Sequence, residues 1–135
     1  MMKFKRSTPD VITKIEPNEV FVFGSNESGR HGKGAAKTVL GWGVVWGQAE
    51  GLQGKTYGIP TKDSSIRRTL TVSQIKPYVD RFIQFAKENP TLTFYVTEVG
   101  CGLAGMKHKQ IAPLFIEAKD LQNVYLPHKF WQKII

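Results

Sequence analysis

"GSNESGRHGKGAA", residues 24–36, follows the compact apolar run Val20-Phe21-Val22-Phe23. A continuous apolar run of this length is the pattern of a strand buried on both faces. The stretch itself carries four glycines and two basic side chains, Arg30 and Lys33. Glycine lets backbone N–H groups come close to a ligand and tolerates positive φ. A loop that opens a helix directs unpaired N–H groups outward, with a partial positive charge behind them. The stretch therefore reads as a tight strand-to-helix connection or as a cradle for a diphosphate. It matches neither common nucleotide fingerprint. Gly32-Lys33 is followed by Gly34 rather than Ser or Thr, and residues 29–34 read G-R-H-G-K-G rather than G-x-G-x-x-G.

The flanking segments predict strands alternating with helices. A short helix is expected over residues 33–41, and "VITKI", 11–15, reads as a short first strand. "VVWGQAEGLQG" holds three glycines and reads as irregular. "KTYGIPT", 55–61, reads as a strand that Pro60 ends. "KDSSIRRTLT" is polar and reads as a surface loop. Ile75, Tyr78, Val79, Phe82, Ile83 and Ala86 fall at helical spacing and predict a helix over 74–88. Thr71 or Ser73 is positioned to cap it, and Asn89-Pro90 to stop it. Residues 92–99 read as a strand running into "CGLAG". A second helix is expected with Ile111, Leu114, Phe115 and Ala118 on one face, then a last strand at 123–127. This order predicts one α/β domain over residues 1–135. Its expected form is a three-layer α/β/α sandwich with a central mixed, mostly parallel sheet. Ligands in such folds sit beyond the carboxyl ends of the strands. The two glycine loops, 24–36 and 100–105, each follow a strand and are expected to open on one edge of the sheet.

The formal charge of +8 favours anionic partners without choosing among them. Cys101 is the one cysteine, so no intrachain disulfide forms, which suits a reducing compartment. The first ten residues lack the apolar stretch of a signal peptide. No segment approaches the roughly 20 apolar residues of a spanning helix. The expectation is a cytoplasmic protein with no membrane partner.

"VFVFGSN", "GRHGKGAA", "YGIPT", "VTEVGCGLAG" and "IAPLF" together resemble the macro domain superfamily, in a divergent branch of bacterial or phage type. The likeness spans about residues 10–127. It implies a macro-like fold and ADP-ribose or a related ADP-ribosyl nucleotide as ligand, with hydrolysis of an ADP-ribosyl linkage as a further implication and no cofactor. By motif position, Gly24, Ser25 and Asn26 resemble the segment that faces the distal ribose. Gly29, Arg30, His31, Gly32, Lys33, Gly34 and Ala35 resemble the first phosphate loop, although Arg30, His31 and Lys33 interrupt the family's run of glycines. Gly100, Cys101, Gly102, Leu103, Ala104 and Gly105 resemble the loop that closes over diphosphate and ribose. Thr61, ending "YGIPT", is placed with them. Asp10 and Ile12 resemble the segment whose aspartate accepts the adenine amino group.

The residues themselves leave several roles open. Asn26 is a ribose ligand, a water-positioning catalytic group, or a turn residue. His31, set among glycines rather than on an apolar face, is not expected in the core. It reads as a loop brace, a phosphate ligand or a catalytic acid–base. Cys101 reads as a small buried residue or a nucleophile. Glu98 and Asp63 are acids near the expected site edge or surface carboxylates. His31, His108, His128 and Cys101 show no metal-ligand spacing, so no metal is expected. Trp42, Trp46 and Trp131 read as core or rim aromatics, and either of the first two is a candidate to flank a ribose or base. A competing function is nucleic-acid binding through the basic surface, with "KFWQK", 129–133, as its aromatic–basic element.

Overall fold

The computed structural model describes residues 6–31 and 39–135. Five strands form one sheet: β1 (Glu19–Asn26), β2 (Gly51–Gln53), β3 (Thr56–Lys62), β4 (Thr93–Val96) and β5 (Val124–Tyr125). Their order is β2-β3-β1-β4-β5. β1 runs parallel to β3 and β4, β4 runs parallel to β5, and only β2 is antiparallel. The fold is therefore α/β with a mixed, mostly parallel sheet.

Alternation along β1 divides the core between the two faces of the sheet. Val20 and Val22 join the larger apolar cluster, with Phe82, Phe94, Phe115 and Phe130. Phe21 and Phe23 join a smaller one with Ile15 and Val39. Burial on both faces is what the unbroken apolar run at 20–23 demanded.

Helix α1 (Val72–Glu88) covers the larger cluster through Ile75, Val79, Phe82, Ile83 and Ala86. Thr71 is its cap: the hydroxyl accepts from Gln74 N, and the Gln74 side chain returns a bond to the Thr71 N–H. Asn89 ends it. The second expected helix is a single α turn, α2 (His108–Ile111), continued by a 3-10 helix over Ala112–Asp120 with Pro113 in its first turn. Ile111, Phe115 and Ala118 still face inward. A last helix, α3 (His128–Ile134), buries Phe130 and Trp131.

Several expectations change. Residues 11–15 form no strand; Ile12 and Ile15 instead pack against the Phe21–Phe23 face. β3 continues past Pro60 to Lys62. β2 stops pairing opposite Gly58, so Pro60 lies on an edge segment of β3, where a missing N–H is tolerated. β2 itself falls in a stretch read as irregular. β4 ends at Val96, after which Thr97 still bonds the middle of β1, donating its N–H and hydroxyl to Val22 O at 3.1 and 2.7 Å. Of the helix expected over 33–41, residues 33–38 lie outside the described residues, and Val39–Trp42 is a 3-10 turn.

The chain ends are tied across the sheet's β5 side. The Arg6 guanidinium donates to Leu121 O at 2.5 Å, Val124 O at 2.6 Å and Lys119 O, and lies 5.3 Å from the Trp131 ring centroid. Trp131 Nε1 donates back to Arg6 O at 2.9 Å. Among the described residues no helix is long and apolar enough to cross a membrane.

Candidate functional site

Because β1, β3 and β4 are parallel neighbours, their carboxyl ends share one edge of the sheet. A cavity of about 810 Å³ opens there. Its lining includes Gly24, Ser25 and Asn26 from β1, Thr61 and Lys62 from β3, and Thr97 to Gly100 after β4. Gly102, Leu103 and Ala104 of the second glycine loop, Ser65 to Arg67 of the following loop, Arg30 and Trp46 also line it.

The end of β1 is tightly committed. Ser25 is buried and donates to Ala49 O at 2.5 Å. Asn26 is 6% exposed, and its side chain organises the turn after the strand. Its Nδ2 donates to Arg30 O at 2.7 Å, and its Oδ1 accepts from Ser28 Oγ at 2.6 Å and from Arg30 N at 3.0 Å. The turn role is thus filled, and one amide N–H is left over. Gly24 lets the loops close: a Cβ there would stand 3.4 Å from both Gly100 N and Thr61 Oγ1.

The second loop folds on itself through Gly105 N to Gly102 O at 3.0 Å and Met106 N to Gly100 O at 2.8 Å. Among the described residues no acceptor meets the N–H groups of Gly102, Leu103 and Ala104. Thr69 Oγ1 donates to Ala104 O at 2.6 Å, pinning loop 63–70 against this loop. The polar stretch read as a plain surface loop is therefore a cavity wall. Ile66 in it adopts φ 67°, a left-handed conformation that strains a β-branched residue. Asp63 anchors the wall by accepting from Ser65 Oγ at 2.6 Å, and this hydrogen bond, above all, holds its carboxyl below the ordinary aspartate range.

Three cations, Arg30, Lys62 and Arg67, line the cavity beside one carboxylate, Glu98. Among the described residues none of the three is in an ion pair, whereas Glu98 Oε1 lies 2.5 Å from His108 Nε2. Cys101 stands beside the lining without joining it, and burial, with a smaller push from Glu98, drives its thiol up to about 11. A thiol so disposed is protonated at neutral pH and is no nucleophile.

Other expected site residues lie elsewhere. Asp10 is exposed and Ile12 packs on the core; neither lines the cavity. Gly29 is buried where its chain crosses Gly47: φ is +71°, and a Cβ would come within 2.4 Å of Gly47 C. Gly105 does not line the cavity. His31 corrects the expectation that it avoids the core. It is 1% exposed, edge-on to Phe23, with Nε2 donating to Val45 O at 3.0 Å and Gln48 O at 2.9 Å. That is the loop-brace role. Gly32, Lys33, Gly34 and Ala35 lie outside the described residues. Lys62 and Arg67 were missed. The signal for them was the basic side chains on either side of "DSS", immediately after a strand end.

Comparison with family models, curated proteins and solved structures finds no match. The site is read from its own geometry. Among the described residues no three His, Cys, Asp or Glu side chains are grouped to hold a metal ion. Phe130 and Trp131 of "KFWQK" are buried, which removes the aromatic half of a nucleic-acid surface there.

Proposed function

We propose that this cavity binds an ADP-ribose-type nucleotide, and that the fold is the three-layer α/β/α sandwich of the macro-domain kind. One observation carries the reading. Unpaired Arg30, Lys62 and Arg67 share a cavity with the free N–H groups of the second glycine loop, at the carboxyl ends of parallel strands. Fixed N–H donors and cations are what a diphosphate needs, and 810 Å³ falls within the range of small-molecule sites. The motif resemblance points to the same ligand class. Ser25 is engaged with Ala49 O and Cys101 is protonated, so neither of these two serves as an activated nucleophile. Binding is accordingly the function the geometry favours. Hydrolysis of an ADP-ribosyl linkage would draw its water-activating base from Glu98, the one carboxylate among the described lining residues.

A thermal-shift titration tests the reading. ADP-ribose at ~100 times its dissociation constant stabilises the folded chain by ~2.7 kcal/mol. Short oligonucleotides, run in parallel at low and moderate salt, give no comparable shift. No shift with ADP-ribose, ADP or ribose 5-phosphate, with a salt-sensitive shift from oligonucleotides, overturns the proposal in favour of polynucleotide binding.

A further inference from the structure

Trp46 lines the cavity and is 68% exposed. Single exposed apolar side chains are ordinary on a protein surface, so what sets Trp46 apart is the turn that holds it at the cavity. This turn is not free. Val45 O and Gln48 O, either side of the indole, both accept from the buried His31. Buried Gln53 closes the same turn from the other side, its Oε1 accepting from Val45 N at 2.7 Å and its Nε2 donating to Gln48 O at 3.1 Å. Gln48 N donates to Val45 O at 3.1 Å, and Gly47 N to Gly29 O at 2.9 Å across the close glycine crossing. Two buried polar side chains and a steric crossing thus fix a turn whose one large side chain stands at the cavity. Asp10, the expected partner of an adenine amino group, is not there.

We infer that Trp46 is the stacking platform for the nucleobase of the bound nucleotide, held in place by His31 and Gln53. The inference rests on the nucleotide reading of the cavity. It adds a rule of specificity. A π face grips any planar base, whereas an aspartate partner selects the adenine amino group. The site therefore takes nucleoside diphosphate sugars with little preference among purine bases. His31 is a positioning residue in this scheme.

The experiment measures Trp46→Ala and Trp46→Phe beside the wild type by calorimetry and indole fluorescence. The probes are ADP-ribose, its hypoxanthine analogue and ribose 5-phosphate. Stacking predicts that Trp46→Ala weakens ADP-ribose by roughly 5- to 150-fold, leaves ribose 5-phosphate unchanged and keeps the wild-type melting temperature. Trp46→Phe retains most of the affinity. The hypoxanthine analogue binds the wild type within about 3-fold of ADP-ribose, since ~0.6 kcal/mol is all that a face-on contact distinguishes. ADP-ribose also quenches wild-type fluorescence by a component that Trp46→Phe loses. Wild-type binding of ADP-ribose that Trp46→Ala does not alter, or an equal loss for ribose 5-phosphate, overturns the platform while sparing the nucleotide reading. Wild type that binds none of the three overturns both.

Discussion

Replacing Asn26 by alanine separates two roles that the sequence left open. In the structure the amide makes three hydrogen bonds within the turn, to Arg30 O, Arg30 N and Ser28 Oγ. Each is worth about 1 kcal/mol net. The turn is only partly buried, so water recovers some of the loss, and Asn26→Ala should cost about 2–3 kcal/mol of stability. An unfolding entropy of about 2.1 cal/mol/K per residue, over 135 residues, gives about 0.28 kcal/mol/K. The melting temperature should therefore fall by about 7–10 °C. Asn26→Asp keeps the acceptor for Ser28 and Arg30 N and loses the donor to Arg30 O, so it should fall by only about 3–4 °C. Calorimetric melts of the three proteins, with ADP-ribose titrations on each, make the test. If the amide acts through the turn, affinity drops along with stability because Arg30 is no longer held at the cavity. A Tm for Asn26→Ala within 2 °C of wild type would refute the turn role, and affinity lost at full stability would assign the amide to the ribose.

Two further outcomes follow from the glycines and the thiol. Gly29→Ala should destabilise by more than about 2 kcal/mol, because it joins a left-handed φ to a clash with the Gly47 backbone. Gly102→Ala should leave the melt unchanged, since nothing lies within 4 Å of its Cβ position, yet weaken ADP-ribose; equal melts for the two variants would contradict this. Cys101, with its thiol raised from 9.0 to about 11, should react with iodoacetamide at pH 8 about 100-fold more slowly than in the urea-unfolded chain. The rate should climb tenfold per pH unit towards the raised value, and equal rates in folded and unfolded protein would contradict the burial argument.

What could be read from the sequence was local. The spacing of Ile75, Val79, Phe82, Ile83 and Ala86 set α1, and the run at 20–23 set the central strand, because each buries its own periodic face. The shared edge for the two glycine loops also followed, since parallel neighbours bring their carboxyl ends together. What escaped was decided by distant partners. His31 is buried by a turn that lies 14 to 17 residues further on. Gly51–Gln53 has one apolar residue and becomes a strand only through pairing with β3. Loop 63–70 is mostly polar in sequence, yet Thr69 ties it to Ala104, 35 residues away. Asp10 matched a motif by order, but nothing in the order of residues showed that its segment would pack beside Phe21 and Phe23 without lining the cavity.

The clamp made by Arg6 bears on the sequence of events by which the chain folds. Its acceptors lie 113 to 118 residues away, and the indole that answers it lies 125 away. On the ribosome the central strand emerges early but cannot pair until β3 and β4 have been made, and Arg6 waits for Lys119 to Trp131. Closing a loop of that span costs more entropy than forming a local helix, so these contacts are expected to form late. Until then the guanidinium stays in water, and only in the finished fold does burial hold its pKa below the ordinary arginine value. A chain stalled before residue 119 would therefore keep Arg6 solvated and the β5 side of the sheet open.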